Sequence, residues 1–150
     1  MADKFDIYYQ GVAEKDINSM RFFTFGFNRS IAVRGIQKLI LLWLKRLMTP
    51  RETDPTDLEA GTEFPNLIGS NISTMADVRD VVLLSINDCT DQIKNIQRVT
   101  MPDEDEMLAS ASLVKFQSLG DDGFEAWVDI TNVRGTTLTV DLPSMATRST

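Results

Sequence analysis

Phe124-Glu125-Ala126-Trp127-Val128-Asp129-Ile130 and Thr137-Leu138-Thr139-Val140-Asp141-Leu142, joined through Thr131-Asn132-Val133-Arg134-Gly135-Thr136, form the stretch that decides the fold. Apolar residues alternate with polar ones in both runs, which is the period of a strand with one buried face. The joining residues have the Asn and Gly content of a tight turn. An earlier run repeats the pattern: Leu108, Val114 and Phe116 fall on one face, and Gly120-Asp121-Asp122-Gly123 supplies the next turn. Three consecutive antiparallel strands over residues 107–142 are therefore expected, as a meander with one buried face. Trp127 lies opposite the Phe124, Val128 and Ile130 stripe, and is expected either as an exposed anchor or as a side chain packed under the N-terminal arm.

Upstream of these strands the period changes to that of a helix. Over residues 74–96, Val78, Val82, Ile86, Cys89, Ile93 and Ile96 step by three and four along one face. Thr74-Met75-Ala76-Asp77 resembles a capping box with Asp in the place of Glu or Gln. Cys89 lies on the apolar stripe, so it reads as an inert core residue. Residues 31–48 form a second helical pattern through Ile36, Leu39, Ile40, Trp43, Leu44 and Leu47, with Pro50 ending it. Leu41 and Leu42 add a second apolar face, so this helix is expected to be buried on two sides, one of them against a partner helix or the chain's own core. Between the helices, residues 49–64 have the composition of a surface loop, and Pro65 suits the start of a short helical turn, Asn66 to Ile68.

Residues 1–30 are aromatic-rich. Phe23, Phe25 and Phe27 alternate, which suits an extended arm with one sticky face. Such an arm folds back on its own core or docks on a neighbour. The expected fold class is α+β: two main helices packed on a small antiparallel sheet, with an extended aromatic N-terminal arm. The expected division is an arm over 1–30, a single domain over 31–142 and a polar tail over 143–150.

The composition narrows the chemistry. The chain has 150 residues, no histidine and one cysteine. His-based triads, His ligands, an internal disulfide and a cysteine zinc site are thereby excluded within it. No cofactor or metal is expected. The longest apolar run, Leu39 to Leu44, is too short to span a bilayer, and Met1 to Phe5 does not read as a secretory signal. The net charge is −7, with residues 1–50 at +4 (eight basic, four acidic) and residues 51–150 at −11 (seven basic, eighteen acidic). Nucleic acid and membrane are not expected as partners. Glu52, Asp54, Asp57, Glu59 and Glu63 offer carboxylates for a glycosidase pair, but nothing nearby would raise the pKa of one of them. Asp103-Glu104-Asp105-Glu106 lacks the spacing of a calcium loop. A structural assembly protein, not an enzyme, is the expected class.

The order of segments resembles the gene-25-type baseplate wedge proteins of contractile tails, also called sheath initiators and at times labelled lysozyme-like. Val33-Arg34-Gly35-Ile36 opens a helix that ends in Leu47-Met48-Thr49-Pro50-Arg51-Glu52, similar to the family's Leu-x-Thr-x-Pro-Gly-Glu loop, with Arg51 where the family has Gly. Gly61-Thr62-Glu63-Phe64-Pro65-Asn66-Leu67-Ile68 resembles the Gly-containing segment that follows. The long helix runs to Ile96-Gln97-Arg98-Val99, where the family carries Glu-Pro-Arg and this chain keeps the Arg alone. The likeness covers residues 30–142.

The resemblance implies a virion protein assembled in the host cytoplasm, with one copy per wedge of a six-fold baseplate. It implies contacts to other baseplate wedge proteins through helices, to the tail sheath subunit by strand addition to the C-terminal sheet, and to the tail tube. Arg98 would take the place of the motif's arginine. The residues expected to meet partners are Phe23, Phe25 and Phe27 in the arm, Ile36, Trp43 and Leu47 on the first helix, Arg98, and Trp127, Thr137 and Thr139 on the sheet. The alternatives are another tail or neck structural protein that binds tube or connector, and a peptidoglycan-cleaving, lysozyme-like enzyme.

Overall fold

The computed structural model describes residues 19–21, 34–67, 74–119 and 123–144, with backbone alone for 19–21, 143 and 144. Its elements run β1 (Ser19–Arg21), α1 (Ile36–Leu47), a 3-10 turn (Phe64–Leu67), α2 (Met75–Thr100), β2 (Leu108–Ser118), β3 (Phe124–Asn132) and β4 (Thr137–Ser144). The α+β class is as the periodicities predict. The three C-terminal strands pair antiparallel in the expected meander, and β1 adds a fourth, parallel strand beyond β4, giving the order β1-β4-β3-β2. Most of the arm, Phe23, Phe25 and Phe27 included, lies outside the described residues.

The core forms where the helical stripes meet the strand alternation. Phe124, Ala126, Val128 and Ile130 of β3 and Val140 of β4 are fully buried, and Leu138 and Leu142 nearly so. Both helices cover that face, α2 against β2 and α1 against β3 and α2. Phe124 anchors the centre: Phe116 stacks on it at 5.4 Å and Phe64 meets it edge-on at 6.2 Å. Such ring pairs add about 0.5–1.5 kcal/mol beyond the area they bury.

Three details correct the reading of the sequence. Val114 is exposed, not on the core face with Leu108 and Phe116; the register shifts between Leu113 and Lys115, and this bulge turns Val114 outward while Leu113 packs on the core. The α2 stripe continues four residues past Ile93 to Gln97, which is buried, while Ile96 is only half-buried. A buried amide needs partners, and Gln97 has two: its Nε2 donates to Glu106 O at 2.9 Å, and its Oε1 accepts from Leu108 N at 2.8 Å. Finally, the 3-10 turn starts at Phe64, two residues before the expected Asn66.

Helix ends follow local chemistry. The Thr74 hydroxyl caps α2 by accepting from Asp77 N. At the other end Met101 takes a left-handed conformation, its amide bonds to Gln97 O, and Pro102 follows. The loop between the helices is closed. Thr62 Oγ1 donates to Leu47 O at 2.7 Å, and the Gln92 amide pairs with both the N–H and the C=O of Gly61. At Gly61, φ is +101°, and a Cβ would lie 2.3 Å from Thr49 O, so only glycine fits.

Candidate interaction surface

The sheet has two outer sides, and they differ. β2 carries two register irregularities, between Leu108 and Ser110 and between Leu113 and Lys115. Bulges of this kind twist an edge away from further pairing. No strand pairs with the outer side of β2 among the described residues. β4 is regular: eight consecutive residues, Thr137 to Ser144, pair with β3 without a shift.

The hairpin sets which groups of β4 point outward. Asn132 N donates to Thr136 O at 3.0 Å, and the Asn132 side chain accepts from Thr136 N. Hydrogen-bonded and non-hydrogen-bonded pairs alternate along an antiparallel ladder. Leu138, Val140 and Leu142 therefore bond back to β3. The backbone groups of Thr137, Thr139 and Asp141 point away from it, as does the carbonyl of Pro143, which has no N–H to offer. β1 lies over the middle of this row, with Ser19 opposite Thr139, Met20 opposite Val140 and Arg21 opposite Asp141.

The face of the sheet away from the helices is polar. Thr137 and Thr139 are half-buried there; their hydroxyls meet Thr131 Oγ1 at 2.7 Å and Asp129, respectively. Cross-strand pairs of this kind hold the hairpin in register. Trp127 is half-buried, with Lys115 Nζ 4.6 Å above its ring. Its register partner on β4 is Asp141, which is buried although it lies off the core face. Trp127 is thus neither freely exposed nor in the core.

The other expected contact residues are dispersed. Trp43 and Leu47 are fully buried, and Leu39, Ile40, Leu41 and Leu44 nearly so. The second apolar face of α1 is thus taken up inside the chain, and Trp43 and Leu47 offer no surface to a partner helix. Ile36 packs half-buried against the core. Arg98 is exposed in the last turn of α2. The neighbour that ties this helix end to the sheet is Gln97, which the sequence reading did not single out.

Three of the loop acids, Asp54, Asp57 and Glu63, are held by local partners. Asp57 pairs with Arg46 at 3.2 Å, Glu63 accepts from Asn66 and lies 3.8 Å from Arg51, and Arg51 also pairs with Asp88. Hydrogen bonds from the Thr56 side chain and backbone hold Asp54 below the usual carboxylate range. A general acid needs the opposite displacement. Glu106 pairs with Lys38 at 2.8 Å, which ties the acidic run to α1. Burial pushes the Cys89 thiol far above its ordinary value, and its Sγ donates to Trp43 O. No cluster of metal-ligating side chains occurs among the described residues, and no described helix is long and apolar enough to cross a membrane.

Comparisons with protein-family models, with curated proteins and with solved structures find no match to this chain.

Proposed function

We propose that this chain is a structural subunit of a contractile-tail baseplate, a wedge component that templates the first ring of sheath by strand addition to β4. The observation that carries this reading is the pairing of β1 on the outer side of a regular, eight-residue β4. An edge that accepts a parallel segment from elsewhere in the chain has the geometry that strand addition from another chain requires. Main-chain bonds then supply affinity, and alternate side chains supply specificity. The element order supports the same reading, since helix, closed loop, short turn, long helix and closing strands follow one another as in the family that the sequence resembles. With the apolar faces of α1 buried, contact to other wedge proteins falls to the exposed side of α2.

The test is a pull-down with the tagged chain against the sheath and wedge proteins of its own tail system. A variant with Thr137→Pro and Thr139→Pro removes two outward donors of β4 and leaves its core-facing residues in place. The wild type should capture sheath, the variant should lose at least tenfold of that capture, and binding of wedge proteins should survive in both. Indifference of the wild type to sheath and wedge proteins alike would sink the reading.

A further inference from the structure

We propose that the outer face of α2, formed by Asp77, Asp80, Leu84, Asp88 and Asp91, docks a basic segment of another protein, with an apolar side chain set on Leu84 and lysine or arginine side chains to either side of it. This rests on the wedge-contact reading of α2 for the source of the partner and adds the chemistry that recognises it.

The face is defined by spacing. These five residues recur at three and four along the helix, opposite the buried stripe of Val78, Val82, Ile86 and Ile93. Asp77, Asp80, Leu84 and Asp91 are exposed, and Asp88 is half-buried. Leu84, 63% exposed, stands at the middle of the row. Asp77 and Asp80 are three residues apart, as are Asp88 and Asp91, and like charges at that spacing destabilise a helix. Asp88 and Asp91 lie mid-helix, beyond the end that favours acids in its first turn. Neither Asp80 nor Asp91 forms an ion pair among the described residues. The repulsion and the exposed leucine therefore bring the isolated chain no stability, and a local rule broken without internal compensation marks a functional surface.

The placement of charge decides the occupant. Residues 51–91 hold two basic and nine acidic side chains, a net −7, while all other residues balance at thirteen of each. The loop lies on the same side of the molecule, because Arg51 bonds to Asp88 and the Gln92 amide to Gly61. The excess charge is thus gathered on this part of α2 and the loop beside it, where a basic partner is attracted and an acidic one repelled. A second copy of this chain has no matching face among the described residues. Lys38 pairs with Glu106 and Arg46 with Asp57, Lys115 lies over Trp127, and Arg34 and Lys45 are engaged inside the chain as well. Leu84, an apolar side chain within a charged rim, has the arrangement of an interface hot spot.

Three full-length variants test this face, each titrated against the purified wedge proteins of its own tail system. Leu84→Ala should weaken the binding of one wedge protein about tenfold or more. Asp80→Asn with Asp91→Asn should weaken it by a similar factor, and so should raising the salt from about 0.05 M to about 0.5 M, which screens exposed charges. Asp103→Asn with Glu104→Gln removes the same two charges at the far end of α2 and should leave affinity within about twofold of the wild type. All three variants should capture sheath as the wild type does. Thermal melts should show Asp80→Asn with Asp91→Asn unfolding no earlier than the wild type, since it relieves repulsion. An equal loss in the Asp103 and Glu104 variant would mean attraction to net charge alone and would overturn the proposal. Undiminished binding by Leu84→Ala would overturn it too. Wild-type capture of wedge proteins by every variant overturns this face and leaves the wedge reading standing, whereas no capture by the wild type overturns both. A wild-type dimer in sedimentation that Leu84→Ala dissociates would make a second copy the occupant and overturn the proposal.

Discussion

Single residues decide where this chain departs from its own patterns. Gly61 is the sharpest case, because its positive φ and the nearness of Thr49 O leave no room for a Cβ. Gly61→Ala should lower stability by about 2 kcal/mol or more, from left-handed strain together with steric displacement of the loop. A urea titration followed by circular dichroism would register this as a fall in midpoint. A shift of under about 0.5 kcal/mol, the usual size for an unconstrained surface site, would mean that the loop relaxes freely. Gln97 and Gln92 act in a similar local manner, each using one side-chain amide to satisfy two backbone groups. Neither role was legible in the sequence. A glutamine announces nothing about which backbone it will meet, whereas Cys89 on an apolar stripe announced its burial plainly.

Elements were read well where their periodicity was unbroken and less well where it was not. β3 alternates buried and half-buried residues along all nine positions, as the sequence predicts. β2 does not, because a bulge costs no special residue and leaves no mark on composition. The two strands therefore give a paired prediction. Val128→Ala should cost about 2 kcal/mol, from lost apolar burial and the cavity left behind. Val114→Ala should stay within about 0.5 kcal/mol. Thermal melts of both variants would check this, and a larger loss at Val114 would place the bulge elsewhere. The two-faced apolar pattern of α1 was read correctly as burial on both sides. Hydrophobicity alone did not say whether the second side belonged to this chain or to a partner.

At the scale of the molecule, α1, α2 and the inner face of the sheet share one continuous core. Unfolding should accordingly be a single cooperative event. Trp43 reports from between the helices and the sheet, and Trp127 from the opposite side of β3. Tryptophan fluorescence and far-ultraviolet circular dichroism should give the same urea midpoint; two separated transitions would show that helices and sheet come apart independently. The class of fold was visible in the sequence because it depends on local periods. The addition of β1 was not, since three residues near one end of the chain carry no sign of the strand near the other end that they will join. The strand that holds Thr137 and Thr139 was legible, but the segment lying beside Thr139 was not.

That parallel pairing also has a mechanical meaning. Strands running in the same direction, pulled at the start of one and the end of the other, slide along each other instead of peeling apart. Tension applied between Ser19 and Ser144 would therefore load the bonds between β1 and β4 together, in shear. A pull that lifted Ser19 sideways off the sheet would break them one after another. The same three residues form a firm clasp against a lengthwise load and a weak one against a transverse load, so the direction of force selects whether the edge of β4 stays closed or opens.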